Sequence, residues 1–218
     1  MSMASCCETE DYNRAFGPRY AAQLARKYRR RGLDRTSRGM VDWVEAQGIQ
    51  DATVLEIGGG VGSLHVELLR RGAARATNLE LSSTYDDDAR SLAEEYGVAD
   101  RITRLRTDVA TDPDAVEVHD IVVLHRVVCC YPDAERLLNA AATRAERLLI
   151  YSHPPNNALH RALTAIENTY QRVARHPFRT FVHDPRQMAA AVSSDGFALA
   201  YRRQGVVWQV AGFTTAAG

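Results

Sequence analysis

The sequence predicts an α/β protein with a doubly wound, mostly parallel sheet of seven strands. Between residues 52 and 153, short runs of apolar and β-branched residues alternate with segments of helical periodicity, which is the rhythm of strand–helix–strand units in a parallel sheet. The run at residues 121–124 is continuously apolar, as in strands that a parallel sheet buries on both faces. Glycines at residues 58–62 follow the first strand, at the sheet edge where such folds bind ligands.

The predicted strands are short apolar or β-branched runs bounded by glycine, proline or charged residues. They lie at about residues 53–57, 76–81, 102–107, 120–125, 147–152, 197–203 and 206–213. The strands up to residue 152 alternate with helices, and we expect them to be parallel. The two that follow are expected to form a hairpin through Gln204 and Gly205, which makes the last strand antiparallel.

The predicted helices carry apolar residues three or four positions apart, and polar residues cap several of them. They lie at about residues 11–31, 34–47, 62–71, 83–96, 133–146, 157–176 and 185–194. The helix at residues 157–176 has no place in a minimal sheet of this kind. We therefore expect an N-terminal helical cap at residues 1–51 and a main domain at residues 52–218, which contains a second helical cap at residues 155–183.

Composition indicates an ordinary globular chain. Of its 218 residues, 45% are hydrophobic and 25% are charged, which excludes collagen-like, coiled-coil and disordered classes. No apolar run is long enough for a membrane span, and the N-terminus lacks a signal-peptide pattern, so we expect a cytoplasmic protein. The 27 basic and 27 acidic residues balance, which argues against a dedicated nucleic-acid partner. A homodimer is left open.

The four cysteines form two adjacent pairs, Cys6-Cys7 and Cys129-Cys130. Adjacent cysteines rarely bond to each other, because the geometry of such a disulfide is strained. Their spacing also differs from the C-x2-C pattern of zinc sites. We therefore expect free thiols and no metal site.

The glycine-rich segment distinguishes between two kinds of cofactor site. Gly58, Gly60 and Gly62 follow Glu56 in the order acid-x-Gly-x-Gly-x-Gly. A dinucleotide fingerprint that began at Gly58 would need glycine at position 63, where the chain has Ser63. The observed order resembles motif I of the class I S-adenosylmethionine-dependent methyltransferases, which have a Rossmann-like fold.

Two further acids extend the resemblance. Glu80 ends the second predicted strand and Asp108 follows the third. In this family the corresponding acids accept the ribose hydroxyls and contact the adenine amino group. The resemblance implies S-adenosyl-L-methionine as cofactor, and it places these residues in the cofactor site: Glu56, Gly58, Gly60, Gly62, Glu80, Leu81, Asp108, Val109 and His125. Carboxylates suit a cofactor that offers hydrogen-bond donors and has no pyrophosphate.

The resemblance also implies methyl transfer to an O or N nucleophile of a small molecule by in-line displacement, for which alignment is the main requirement. His125 and His153 leave the fourth and fifth strands at the ligand-binding edge and are the candidate general bases. A hydrogen bond to the backbone is an equal alternative for His125. Arg126 either binds an anionic group of the substrate or pairs with a surface acid.

We expect the substrate to contact residues from several segments, namely Tyr20, Arg126, Cys129, Tyr170 and Phe178. The helix at residues 157–176 has an apolar stripe made of Leu159, Leu163, Ile166, Tyr170 and Val173. We interpret this helix and the residues up to His183 as a lid over the acceptor. An ordinary packing helix is the alternative.

Two other functions remain open at this stage. The first is methyl transfer to a thiol or a metalloid, in which the cysteine pairs would take part. Arsenite methyltransferases carry a key cysteine near the exit of the fourth strand, where this chain has Arg126 and a cysteine pair three residues later. The second is a non-catalytic protein that binds S-adenosylmethionine.

Overall fold

The computed structural model describes residues 9–176 and 178–215, so Cys6 and Cys7 lie outside the described residues. The strands are β1 (Thr53–Ile57), β2 (Arg75–Leu79), β3 (Ile102–Leu105), β4 (His119–Leu124), β5 (Ala145–His153), β6 (Phe197–Arg203) and β7 (Gln209–Thr215). The helices are α1 (Thr9–Ala15), α2 (Pro18–Arg31), α3 (Arg35–Ala46), α4 (Ser63–Arg70), α5 (Asp86–Glu95), α6 (Ala134–Thr143), α7 (Ala158–Val173) and α8 (Pro185–Ser193).

The strands form a single sheet in the order β3-β2-β1-β4-β5-β7-β6. Strands β1 to β5 are parallel, and β7 runs antiparallel to both β5 and β6. The predicted fold class, a mostly parallel seven-stranded sheet with an antiparallel last strand, is confirmed. The strand order reverses between β1 and β4, and this switch point opens a crevice at the carboxyl ends of the strands.

Both faces of the sheet are covered, as the continuously apolar strands predict. Side chains alternate between the faces along each strand, so Leu55 and Val122 join one hydrophobic cluster whereas Val54 and Ile121 join the other. The first cluster packs against α6 and α8, and the second against α3, α4 and α5. This double cover holds the strand ends rigidly at the crevice.

The N-terminal region differs from the prediction of one helix at residues 11–31. Two helices are present, α1 and α2, and they are separated at Gly17. Gly17 has an extended backbone with φ −70° and ψ 168°, and Pro18 begins α2. Because proline lacks an N–H and suits the first position of a helix, the chain restarts there instead of continuing.

Two C-terminal boundaries also differ from the prediction. The hairpin does not turn through Gln204 and Gly205 alone, because β7 begins only at Gln209. Val206 and Val207 are exposed in the connection, by 87% and 61%. The strand register is set by Val210 and Phe213, which are buried beside β5. The sequence prediction began this strand at Val206 because valine is typical of strands, but neither Val206 nor Val207 is buried in the sheet.

Helix α7 forms where it was predicted, and Asn157 caps it by accepting a hydrogen bond from the backbone N–H of His160. No residue of α7 is buried. The five residues of its apolar stripe are 53–80% exposed, so the stripe faces solvent. The opposite face is tied down by Asn168, whose side chain donates to the Thr180 carbonyl and accepts from its N–H, at 2.7 and 3.0 Å.

Within residues 9–176 and 178–215, no helix is both long enough and apolar enough to cross a membrane.

Candidate functional site

A cavity lies at the switch point between β1 and β4, beneath the N-terminal helices. Its walls come from the glycine-rich loop, the exits of β2, β3 and β4, and helices α1 to α3. The sequence-predicted residues on these walls are Tyr20, Glu56, Gly58, Gly60, Glu80, Leu81, Asp108, Val109, His125 and Arg126. Asn13 holds α1 over this edge by accepting hydrogen bonds from Ser82 Oγ at 2.8 Å and Ser83 N at 3.1 Å.

The glycines of the loop are needed for close approach. Gly58 and Gly60 have φ values of +66° and +56°, in the left-handed region that glycine adopts without strain. A Cβ on Gly58 would lie 2.4 Å from Cγ2 of Val127. Gly62 begins α4 with φ +81°, and a Cβ there would lie 2.3 Å from the ring of His65. Gly62 is therefore required by packing, and it is not among the described residues that line the cavity.

The N–H groups around the loop already have protein partners. Gly60 N donates to Glu80 Oε2 at 2.8 Å, and Gly59 N donates to the Asn78 side chain at 3.2 Å. The first turn of α4 is capped in the same way, because His65 N donates to Glu56 Oε2 at 3.1 Å. A phosphate-binding loop needs such groups for its ligand. This arrangement therefore does not suit a pyrophosphate.

Glu56 forms a buried pair that the sequence did not reveal. Its Oε2 lies 2.6 Å from Nδ1 of His65, and both side chains are only 3% exposed. His65 stands in the predicted helix between Leu64 and Val66, which are both buried. No spacing rule distinguishes it there from a packed core histidine. The pair fixes the Glu56 carboxylate beside the loop.

Glu80 and Asp108 lie where two strands end, and hydrogen bonds fix both carboxylates. Glu80 accepts from Gly60 N through Oε2 and from Ser82 N through Oε1, at 2.8 and 2.9 Å. Burial raises the pKa of Glu80, although these N–H groups stabilise its charged form. Asp108 Oδ1 accepts from Ala110 N, and its Oδ2 accepts from the hydroxyl of Tyr131 at 3.0 Å. Tyr131 also lines the cavity and was missed because it lies 23 residues away in sequence.

His125 is held between two serine hydroxyls. Its Nε2 lies 3.0 Å from Ser37 Oγ on α3, and its Nδ1 lies 2.9 Å from Ser152 Oγ on β5. Burial and the neighbouring Arg126 guanidinium lower the pKa of His125 to about 3, against the opposing effect of Asp34. The ring is therefore neutral near pH 7, and both of its nitrogens are engaged.

Arg126 adopts a strained backbone and reaches the N-terminal helices. Its φ is +61°, which is uncommon for a residue other than glycine, and its N–H donates to Ser152 Oγ at 2.9 Å. Nη2 contacts Asp34 Oδ2 at 2.5 Å, and the guanidinium lies 5.2 Å above the Trp208 ring. Burial raises the pKa of Asp34, but the N–H of Ser37 and the charge of Arg126 outweigh it and lower the pKa to about 2.

Four other predicted residues lie away from the cavity walls that the described residues form. His153 is buried, and its Nδ1 contacts the Pro154 carbonyl at 2.9 Å. Tyr170 is 73% exposed on the outer face of α7. Phe178 is buried against Phe16 and Tyr12, so it supports the wall from behind. The fourth is Cys129, one of the paired cysteines.

Of the described cysteines, Cys130 lines the cavity and Cys129 is buried behind it. Their sulfur atoms lie 3.7 Å apart, well beyond the ~2.05 Å of a disulfide bond. A hydrogen bond from Cys130 lowers the pKa of the Cys129 thiol, although burial opposes this effect. In the part of the chain that the structure describes, no three His, Cys, Asp or Glu side chains come together to hold a metal ion.

Comparison with known sequences gives two matches. A family model described as a methyltransferase domain matches residues 55–146. A ribosomal protein L11 methyltransferase of Pasteurella multocida (strain Pm70) is 32% identical over 92 residues, which make up 42% of this chain and 30% of that protein. The chain thus matches less than a third of the length of this curated relative.

Solved structures give likenesses that extend over nearly the whole chain. The magnesium protoporphyrin IX methyltransferase of Synechocystis PCC 6803 with bound SAH has a TM-score of 0.69 and 18% identity, covering 95% of this chain and 94% of that one. An O-methyltransferase family protein from Burkholderia thailandensis has a TM-score of 0.68 and 20% identity, with coverages of 94% and 62%. At such identities, these likenesses show the shared fold.

Proposed function

We propose that this chain, whose residues 55–146 match a methyltransferase-domain model, is a class I S-adenosylmethionine-dependent methyltransferase. It would transfer a methyl group from that cofactor to an O or N nucleophile of a small molecule. The observation that carries this proposal is the cavity itself. Two strand-end carboxylates face it, and the N–H groups of its glycine loop are already satisfied by protein side chains. When bound, S-adenosylmethionine supplies a methyl group that its sulfonium already activates.

The residues present fit this cofactor. Glu80 and Asp108 would accept the ribose hydroxyls and the adenine amino group, because both carboxylates lie on the cavity wall. Gly58 and Gly60 put the loop backbone on the cavity wall beside these two acids. Glu56 adds negative charge next to the loop, which suits a cation and would repel a pyrophosphate.

The shape and lining of the cavity support a small acceptor. Aromatic rings of Tyr12, Phe16 and Tyr20 close it from the N-terminal side, as is typical of small-molecule pockets. Two structural neighbours support the same class, since one is named for magnesium protoporphyrin IX and another, from Planctomyces limnophilus DSM 3776, was crystallised with apigenin. The ribosomal-protein methyltransferase matches over only 30% of its length, so its acceptor carries little weight here.

We assign His125 a positioning role in preference to that of a general base. Both ring nitrogens contact serine hydroxyls, and its lowered pKa makes it a weak proton acceptor. The ring links Ser37 on α3 to Ser152 on β5, so it holds the N-terminal helices against the carboxyl ends of the strands. His153 is buried behind the cavity wall, and it therefore has no assigned role in proton transfer.

Methyl transfer to a thiol or metalloid remains the second candidate, because Cys130 lines the cavity. Replacement of Cys130 by serine distinguishes thiol or metalloid methylation from O- or N-methylation. The thiol or metalloid activity would be lost in this variant, whereas O- or N-methylation would continue. The homodimer that the sequence left open stays a prediction.

Calorimetric titration tests the cofactor assignment directly. We expect S-adenosylmethionine and its demethylated product to bind with micromolar affinity, and NAD to give no heat at the same concentrations. The physical reason is that NAD would bring its pyrophosphate against Glu56 and Glu80. Tighter binding of NAD than of S-adenosylmethionine would refute the proposed function.

A further inference from the structure

Two cationic side chains, Lys27 and Arg126, line the end of the cavity under the N-terminal helices. Arg126 makes one ion pair among the described residues, through Nη2 to Asp34. Its Nε is enclosed and has no hydrogen-bond partner there. An enclosed donor on a charged group is costly to leave unpaired. The Arg126 side chain is 34% exposed and lies on the cavity wall, so its guanidinium has hydrogen-bonding capacity that the described residues do not use.

The backbone at Arg126 supports a binding role for its side chain. A left-handed conformation is unfavourable for a residue other than glycine, and such strain is concentrated at binding and catalytic sites. Here φ is +61°, and the Ser152 hydroxyl holds the strained N–H in place. Trp208 packs against the guanidinium face. The side chain is thus held in a fixed position at the cavity wall.

The candidate bases that the structure describes at the β4 exit are already engaged in hydrogen bonds. Both nitrogens of His125 contact hydroxyls. Asp34 uses Oδ1 to cap α3, accepting from Thr36 N and Ser37 N at 2.9 and 3.0 Å, and uses Oδ2 to bind Arg126. An acceptor that had to lose a proton here would find its neighbours already engaged.

We infer that the acceptor is a small molecule with an anionic oxygen, such as a carboxylate, and that Arg126 binds this anionic group. This inference rests on the proposed methyl transfer. The acceptor oxygen forms a bond to the methyl carbon with its own lone pair, while the carbon–sulfur bond breaks and its electron pair stays on sulfur. A carboxylate becomes a neutral methyl ester and the sulfonium a neutral thioether, so no proton is released.

The test uses aromatic carboxylates, such as benzoate and cinnamate, beside their primary amides and the corresponding alcohols. The full-length protein is incubated with methyl-labelled S-adenosylmethionine in weak buffer with a pH indicator. We expect the carboxylates alone to be labelled, with the label released as methanol in alkali, which identifies an ester. Fewer than about 0.1 protons should be released per methyl group, whereas methylation of an alcohol releases one.

Matched variants separate binding by Arg126 from a structural role. Arg126→Gln should lower kcat/KM for the carboxylates by roughly 10- to 100-fold, the effect of losing a charged hydrogen bond, and Arg126→Lys should restore part of it. Arg90→Gln is the control, because it removes an arginine and its ion pair with Asp87 at an exposed site on α5, and it should retain carboxylate methylation. Affinity for the demethylated cofactor should be unchanged in all three variants.

Each contrary outcome has a distinct meaning. Equal kcat/KM values for the carboxylates in Arg126→Gln and Arg90→Gln, methylation of alcohols or amines with one proton released, or binding of the cofactor with no carboxylate methylated would overturn the inference and leave the proposed function standing. Failure of the protein to bind the cofactor at all would overturn the proposed function itself.

Discussion

Glu80 shows how a single side chain both shapes the site and is available to a ligand. Its carboxylate accepts hydrogen bonds from the glycine loop and from the residue that follows β2, at Gly60 and Ser82. It also stands on the cavity wall. The loop and Glu80, the acid that we propose binds the ribose, are therefore coupled, so that a change in Glu80 also disturbs the loop.

Glu80→Gln should weaken cofactor binding. The amide loses the charge and turns a donor toward one of the two N–H groups, which leaves a hydrogen bond unmade. We expect a loss of about 1.5–3 kcal/mol, roughly 10- to 150-fold in Kd for the demethylated cofactor, measured by calorimetry. Glu94→Gln, at an exposed position on α5, is the matched control and should bind normally. If both variants bind alike, Glu80 is not a cofactor ligand.

The pKa of His125 predicts how stability depends on pH. The folded-state pKa lies at about 3, below the usual value near 6.5, so the unfolded chain takes up a proton first as pH falls. This contribution is complete above pH 6.5 and declines toward pH 3. Between pH 7 and pH 5, urea unfolding should show that wild type loses up to about 2 kcal/mol more than His125→Gln. Parallel pH dependences of the two proteins would show that the ring is not held neutral.

At the level of the elements, periodicity predicted the helices and strands well but did not predict how they pack against one another. The apolar stripe on α7 was correctly assigned to a helix, yet it faces solvent. Inward packing in that region comes instead from Phe178, in the irregular segment after the helix. Period alone identifies an amphipathic face. It does not tell whether a partner covers that face.

This contrast between Phe178 and Tyr170 can be measured. Phe178 is 6% exposed, with its ring centroid 5.1 Å from that of Phe16, whereas Tyr170 is 73% exposed. Phe178→Ala should cost about 3–5 kcal/mol of unfolding free energy in urea, and Tyr170→Ala should stay within about 0.5 kcal/mol. A large loss in Tyr170→Ala would mean that the α7 stripe is covered in solution.

At the level of the whole molecule, the two ends of the cavity differ in how far the sequence predicts them. The end that we propose for the cofactor is local in sequence, because Glu56, Glu80 and Asp108 each follow or end a strand that periodicity locates. The end that we propose for the acceptor surrounds Arg126, where distant segments contribute Asp34, Ser37, Ser152 and Trp208. No spacing in the sequence predicts that these residues meet, because the folded sheet and the N-terminal helices bring them together.

The same geometry predicts where cofactor binding stiffens the molecule. Residues 178–183 support the cavity wall, because Phe181 N donates to the Cys129 carbonyl at 2.7 Å and His183 Nε2 lies 3.0 Å from the Tyr131 carbonyl. Helix α7 contributes no described residue to the cavity lining. Hydrogen exchange with the demethylated cofactor should therefore show new protection at residues 58–62 and 178–183.

Exchange in α7 itself should stay unchanged, because its contact with the rest of the described chain runs through polar bonds such as those between Asn168 and Thr180. A gain of protection along α7 in the same experiment would support the prediction, made from its apolar stripe, that the helix is a lid over the acceptor. It would mean that the helix rotates to place Leu163 and Tyr170 over the acceptor. Addition of a carboxylate acceptor analogue then distinguishes the two outcomes, since a lid closes further when the acceptor binds, whereas a fixed surface helix does not respond.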